Sequence, residues 1–452
     1  MKTRLNNKLA SSGLSADEAS NKAGLFVEAR NALVAARSSS RDFHYWFVPG
    51  RIEFLGKHTD YCGGRSLICA LERGFCVVAS PRDDDRIQII DAKRSEQTEI
   101  SLTADEFPRT GHWSGYPATV ARRIAYNFPG KLRGADIAFI SDLPAAAGLS
   151  SSSALIVAIF SVLARLNALA ERDEYKSNIH NLEDLAGYLG AVENGSSYGS
   201  LEGGKGVGTF GGSQDHTAIL CSQPGKLSQY SFCPVRLERT ISQPDHYAFV
   251  IAVSGVTAEK TGAALEKYNR VSLRAAEVLA LWRSVTAQAD ATLWAAASSS
   301  PDASSRIREL LLKSRSSSFS PKELIDRFDQ LILECGEIIP GAADALAAGN
   351  IQILGDLVDQ SQRAAERLLG NQVPETVALA RLARELGAAA ASAFGAGFGG
   401  SVWALVEAER ADSLMSEWSS RYRSQFPLSA ERSTFFLTRA GSAMIQFENA
   451  ER

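Results

Sequence analysis

Residues 142–154 read Asp-Leu-Pro-Ala-Ala-Ala-Gly-Leu-Ser-Ser-Ser-Ser-Ala and run into the apolar stretch Leu155-Ile156-Val157-Ala158-Ile159-Phe160. The apolar stretch predicts a buried helix, and the small residues before it predict a loop that feeds the helix N-terminus. A helix start presents backbone N–H groups without intrahelical partners and the positive end of the peptide dipole, which together form an anion site. The hydroxyls of Ser150, Ser151, Ser152 and Ser153 add donors and a potential metal ligand. Serines also cap helices for ordinary reasons. On this segment alone both readings stand, a helix cap or a phosphate cradle. The Walker form of phosphate loop is excluded, because no Lys-Ser or Lys-Thr follows the glycine at the required place.

The bulk of the chain bounds what that loop can belong to. A length of 452 residues suggests two or three domains, or two large lobes sharing an interface. Apolar residues at 45% and charged residues at 22% are ordinary for a soluble globular protein. The 48 basic and 51 acidic residues leave a net charge of −3, which gives no reason to expect a nucleic-acid or membrane partner. Cys62, Cys69, Cys76, Cys221, Cys233 and Cys335 form no CxxC pair and no zinc-like cluster with histidine, so they read as free thiols of a reducing compartment. Lys2 and Arg4 are not followed by an apolar segment of the secretory kind, and the run Ala154–Ala164, interrupted by Ser161, is too short to span a bilayer. A cytoplasmic location follows as the expectation.

Along the chain, residues 16–36 predict an amphipathic helix with Leu25, Ala29, Ala32 and Ala36 inward and Asp17, Glu18, Lys22 and Glu28 elsewhere. Residues 45–55 and 67–80 predict strands, and 86–99 a hairpin. Helices are expected over 116–127 and 152–170. The glycine-rich stretch 194–213 predicts an extended loop ending at Gln214. A second half opens with a strand at 246–253 and a helix from 263 to 286. Further helices are expected over 321–335, 341–349, 351–369 and 374–387. Ser298–Ser305 and Ser314–Ser320 predict surface loops, and 391–406 a strand, a glycine turn and a strand. The pattern implies an α+β chain in two lobes, 1–240 and 241–452.

Three segments stand out together: Pro49–Gly64, Leu143–Ala154 and Gly395–Ser401. The first, Pro-Gly-Arg-Ile-Glu-Phe-Leu-Gly-Lys-His-Thr-Asp-Tyr-Cys-Gly-Gly, resembles the sugar-binding signature of galactokinases. The second resembles the phosphate loop of the GHMP small-molecule kinases, and the third their C-terminal glycine motif. Tyr116 beside Trp113, Ser254-Gly255-Val256 and Tyr268-Asn269-Arg270 resemble further landmarks of the family. The resemblance implies a two-lobed GHMP-kinase fold, an N-terminal α/β lobe and a C-terminal α+β lobe with the active site between them.

It also implies roles. Gly148, Leu149, Ser150, Ser151, Ser152 and Ser153 would bind ATP together with Trp113, and Ser152 and Glu193 would hold Mg²⁺. Asp215 would accept the proton of a sugar's anomeric hydroxyl, with Arg51 beside it. Lys57, His58, Asp60, Gly212 and Tyr268 would bind the sugar. The family resemblance thus points to an ATP-dependent sugar 1-kinase acting on galactose or a close relative, and to a monomer without nucleic-acid or membrane partners. His44, His112, His180 and His246 match nothing in the motifs and read as structural.

Departures from the family pattern concentrate around the sugar. Lys57 stands where galactokinases carry glutamate, and a lysine there suits a uronic acid as well as it suits a solvent-facing side chain beside galactose. Ala146 replaces the first glycine of the loop, implying a different loop path. His216 and Thr217 replace the usual glutamine and aromatic after the aspartate, implying an altered sugar pocket. The stretch from Glu193 to Asp215 is longer than usual and could cover a substrate or bind a partner. Two other readings remain open at this point. One is a sugar sensor on the same fold, disfavoured by the full set Arg51, Ser152, Glu193 and Asp215. The other is a mevalonate- or homoserine-type kinase, disfavoured by His58-Thr59-Asp60-Tyr61.

Overall fold

The chain is described here from a computed structural model, for residues 1–36, 42–103, 113–257, 262–286 and 288–447. Its first half is built on two long strands, β1 (His44–Leu55) and β2 (Arg65–Pro81). They pair antiparallel over almost their whole length. The hairpin β3 (Arg86–Asp91) and β4 (Glu96–Ser101) follows, and then β5 (Ala135–Ser141), which runs antiparallel to β2 and parallel to β3. Strands β6 (Lys226–Ser231) and β7 (Arg236–Ser242) extend the opposite end of β2. The second half supplies β8 (Tyr247–Val253), β9 (Ala390–Phe394), β10 (Ser401–Glu407) and β11 (Thr434–Thr438) as an antiparallel sheet in the order β11-β8-β10-β9. The chain then returns to the first sheet, where β12 (Ile445–Phe447) pairs with β1. The expected strands, hairpin and glycine turn are all present.

Alternation along β1 explains how the first sheet is covered on both faces. Tyr45 and Phe47 turn toward the helix Ala16–Ala36, where they meet Phe26, Cys76 and Phe447. Trp46 and Val48 turn the other way, into the large core shared with the helix Ser151–Leu166. Strand side chains alternate between faces, so one strand feeds two cores. The face of the helix 16–36 differs from the expected one. Ala19, Lys22, Ala23, Phe26, Ala29 and Leu33 are its buried residues, while Ala36 is exposed. Lys22 is fully buried because its ammonium is paired with Glu18 and lies 2.6 Å from Asp142 Oδ2. A buried charge is tolerated where it is paired in this way.

The serine-rich segments are more ordered than expected. The helix Ala303–Leu312 begins inside the first, and Ser320 at the end of the second forms a capping box with Glu323 on the helix Pro321–Leu333. The helices expected at 321–335 and 351–369 each end in one wide π-type turn, Glu334–Ile338 and Ala365–Leu369. All six cysteines are free, as expected.

The two sheets share one core. Phe54 of β1 stacks on Trp403 of β10 with centroids 4.2 Å apart, and meets Phe249 of β8 edge-on at 6.1 Å. Removing a buried aromatic side chain typically costs about 3–5 kcal/mol. Phe54→Ala is therefore expected to lower unfolding free energy by roughly that amount in urea titrations. A loss below about 1 kcal/mol would show that the sheets do not depend on this stack.

Candidate active site

The sequence Arg51-Ile52-Glu53-Phe54 alternates polar and apolar residues on one strand. Ile52 and Phe54 enter the core, so Arg51 and Glu53 share the opposite face. Irregularities in the β1–β2 ladder lie between Pro49 and Arg51 and between Glu53 and Leu55, bracketing this pair. Bulges bend a strand and re-aim its side chains. Arg51 Nε donates to Asp215 Oδ1 at 2.8 Å, and its Nη1 donates to the carbonyl of Gly148 at 2.6 Å. Asp215 lies in the first turn of the helix Gln214–Cys221. One buried guanidinium thus joins a carboxylate to the small-residue loop.

Arg51 and Asp215 line two cavities at once. The first is small and polar. His58 stands in it in the left-handed region, φ +58°, with Nε2 3.1 Å from the carbonyl of Ala396 and Nδ1 3.0 Å from the Tyr61 hydroxyl. A carbonyl only accepts, which assigns the proton to Nε2 and makes Nδ1 the acceptor from Tyr61. Asp60 Oδ2 accepts from the Gln214 N–H at 3.1 Å. A side chain at Gly212 would place its Cβ 2.5 Å from that same Asp60 oxygen, so glycine is required for the approach. Tyr268 leans on His58 with centroids 5.3 Å apart. Ser153 Oγ donates to Glu193 Oε2 at 2.8 Å and stands 3.5 Å from Asp215 Oδ2.

The second cavity is larger, about 1330 Å³, and is lined by Gly148, Leu149, Ser150, Ser151, Ser152 and Trp113 among others. Gly148 and Ser150 both adopt positive φ, +71° and +63°, which turns the loop sharply into the helix. The Ser150 hydroxyl is buried and has no hydrogen-bond partner among the described residues. An unpaired buried hydroxyl is costly, and a bound ligand that paired with it would remove that cost. Ala146, where the family pattern has glycine, stands in the left-handed region that favours glycine, φ +48°. The glycine turn 395–400 seats against the loop: a Cβ on Gly395 would lie 2.9 Å from the Gly148 carbonyl, and Ser401 Oγ donates to the carbonyl of Ala147 at 2.6 Å.

Comparison with known proteins gives the family. Residues 36–81 match the galactokinase galactose-binding signature, 115–199 the GHMP kinases N terminal domain and 342–424 the GHMP kinases C terminal. The chain belongs to the galactokinase family of GHMP kinases. It is a sugar kinase. A galactokinase of Chloroflexus aggregans is 28% identical over 386 residues, 83% of this chain and 87% of that one. One of Exiguobacterium sibiricum is 27% identical over 413 residues, covering 90% and 94%. The fold matches that of Lactococcus lactis galactokinase, solved with galactose, at a TM-score of 0.74 and 21% identity over 92% of this chain and 98% of that one. A mevalonate kinase matches less well, with a TM-score of 0.51 at 14% identity over 87% of this chain.

Most residues singled out in the sequence gather at the two cavities of this galactokinase-family fold, with three differences. Lys57 is 1% exposed and does not line the smaller cavity; its ammonium donates to Ser392 Oγ at 2.8 Å. The turn that brings His58 and Asp60 inward carries the neighbouring lysine out of the cavity. Second, Ser152 and Ser153 part company at the helix start. Ser152 lines the larger cavity, while Ser153 enters the smaller one and meets Glu193. Successive helical residues point about 100° apart, and this step turns Ser153 to the smaller cavity while Ser152 stays on the larger one. Third, His216 and Thr217 are fully buried and line neither cavity, and His216 reaches the smaller one through Glu193, whose Oε2 lies 3.2 Å from its Nε2. His112 lies outside the described residues.

The long loop 194–213 is tied down at several points. Asn194 Nδ2 donates to Gly211 O at 2.8 Å, and Asn269 holds the Phe210 N–H and the Gly208 carbonyl, each at 3.0 Å. This gives Asn269, in the segment 268–270, a structural task.

Three residues that support the site went unread in the sequence. Arg327, fully buried, donates from Nη2 to the carbonyl of His58 at 2.5 Å and from Nη1 to Gln330 Oε1 at 2.6 Å. Glu334 Oε1 accepts from the Gly56 N–H at 2.9 Å. The third is Glu53, which lines the smaller cavity. Burial pushes its carboxyl up to about 8. The folded chain thus favours protonated Glu53, whereas the unfolded chain ionises it near the ordinary value of 4.5. Its stabilising contribution is full below that value and is lost as pH rises toward about 8. Glu53→Gln should match the wild type in unfolding free energy near pH 4 and exceed it increasingly up to pH 8, with a slope of about 1.4 kcal/mol for each step of one in pH. Urea titrations across that range check this. A difference that does not vary with pH would contradict the burial of an ionisable group here.

Proposed function

We propose that the chain transfers the γ-phosphoryl group of ATP to the anomeric hydroxyl of galactose, giving galactose 1-phosphate and ADP. The observation that carries this reading is that Arg51 and Asp215 stand in the wall common to both cavities. A nucleotide in the larger cavity and a sugar in the smaller one would meet at Asp215. Phosphoryl transfer needs positioning, charge neutralisation and a deprotonated acceptor oxygen. Asp215 takes the hydroxyl proton while the sugar oxygen bonds to the γ-phosphorus, and the bond from that phosphorus to the bridging oxygen of ADP breaks. Arg51 fixes the Asp215 carboxylate by a charge-assisted hydrogen bond and places positive charge beside the forming oxyanion. The N–H groups that open the helix at Ser151, with Ser150 Oγ, would receive the phosphates.

The donor set suits Mg²⁺, a hard cation bound through one or two carboxylates and substrate phosphates. Ser152 on the nucleotide side and Glu193 on the sugar side would hold it, where it would neutralise phosphate charge. All of these groups come from one chain, so the reading requires no second subunit.

A neutral sugar fits better than a uronic acid. Glu53, Asp60, Glu193 and Asp215 all line the acceptor cavity, and the Lys57 ammonium is engaged elsewhere by Ser392. A substrate carboxylate would meet acids there and only Arg51 as a cation. The sensor reading is supported by no feature of this site, since a sensor needs no base positioned between two cavities. Asp215→Ala is expected to lower turnover by roughly 10²–10⁴-fold, the usual worth of a general base. Its affinity for ATP in calorimetry should stay within about threefold of the wild type. In a coupled ADP-release assay the wild type should prefer galactose to galacturonate. Faster turnover of galacturonate, or an unaltered rate in Asp215→Ala, would overturn this assignment.

A further inference from the structure

Three of the acids lining the acceptor cavity have partners that fix their roles. Asp215 is held by Arg51, Asp60 by the Gln214 N–H and Glu193 by Ser153. Glu53 differs. It is 3% exposed, and its Oε1 is buried without a hydrogen-bond partner among the described residues. It nonetheless lines the cavity, and the unbroken ladder from Arg51 to Glu53 keeps both on one face of the strand. A buried carboxyl with an orphan oxygen costs on the order of 1–3 kcal/mol unless something arrives to pair with it.

We infer that Glu53 is a specificity-determining residue, which hydrogen-bonds one hydroxyl of the sugar remote from the reacting carbon. The inference rests on the reading of the cavity as the sugar site and goes beyond it by naming the group that recognises the far side of the ring. Position argues for a remote hydroxyl. Arg51 and Asp215 mark the reacting end, and Glu53 stands two residues along the strand from Arg51, about 6.6 Å by strand rise. Chemistry argues for a hydroxyl. The charged groups around Glu53 are Arg51, Lys57, Asp215 and Asp60. In that company, burial pushes its carboxyl up to about 8. The neutral acid therefore prevails near pH 7, and it can donate one hydrogen bond and accept another, as a sugar hydroxyl does. Glu53 thus places a carboxyl in the sugar cavity while Lys57, four residues on, is turned away.

The test uses the full-length enzyme, ATP, galactose and its 2-, 3-, 4- and 6-deoxy analogues. In the wild type one of the 3-, 4- or 6-deoxy sugars should show a KM raised about tenfold or more, as expected for an unpaired buried group. Glu53→Ala should raise the KM for galactose by a similar factor, with kcat within about threefold, and should erase the penalty for that one analogue. Glu53→Gln, which keeps a donor and an acceptor, should stay within about threefold of the wild type. An unchanged KM for ATP in both variants reports an intact fold. A galactose KM within twofold of the wild type in Glu53→Ala, or deoxy-sugar penalties identical in variant and wild type, would overturn the inference and assign Glu53 to internal solvation only. A wild type that phosphorylates no sugar would instead overturn the kinase reading, and this inference with it.

Discussion

The site depends on one buried guanidinium. Arg51 binds Asp215 on one side and the Gly148 carbonyl on the other, at 2.8 and 2.6 Å. The first contact fixes the group that would take a proton. The second fixes the loop that would hold phosphates. A planar fork of five donors is the side chain suited to bridging two acceptors rigidly, which a lysine could not do. Everything around it keeps that fork in place. Bulges aim Arg51 off β1, the glycine turn before β10 closes over Gly148, and Phe54 anchors the same strand in the core common to both sheets.

A second support comes from the helix Pro321–Leu333 and the wide turn that follows it. Arg327, Gln330 and Glu334 hydrogen-bond to the backbone of residues 56–58, the turn that delivers His58 and Asp60. These contacts satisfy backbone groups that a left-handed turn leaves outside any ladder. His58 and Asp60 therefore sit on a loop that is itself held by a distant part of the chain. Placing a site on a loop with a rigid supporting shell is the usual way to combine accessibility with precision.

The elements that were legible in the sequence are those whose pattern is local. The alternation in 44–55, the hairpin at 86–101 and the glycine turn at 395–400 announce themselves through neighbours in the chain. Small residues before an apolar run made the loop and helix start at 142–154 legible, while their reading as a phosphate cradle rested on the resemblance of three segments taken together. What escaped was set by distant partners. Lys22 has the sequence setting of a surface lysine, yet Asp142, 120 positions away, holds it inside. Arg327 sits among apolar residues on its helix, and nothing local indicates that its partner is a carbonyl 269 residues earlier. Lys57 and Glu53 illustrate the same limit at the site. The motif locates the turn, but the bulges and the Ser392 hydroxyl decide which charged side chain enters the cavity. Ser152 and Ser153 are grouped by composition and separated by helical rotation.

The central claim is that this arrangement phosphorylates a neutral hexose on its anomeric oxygen. Phosphorus NMR of the product formed from galactose and ATP tests it most directly. A single phosphorus coupled to the anomeric proton, formed in step with ADP, is the predicted result. A phosphate on the hydroxymethyl carbon, or inorganic phosphate with unmodified galactose, would contradict it.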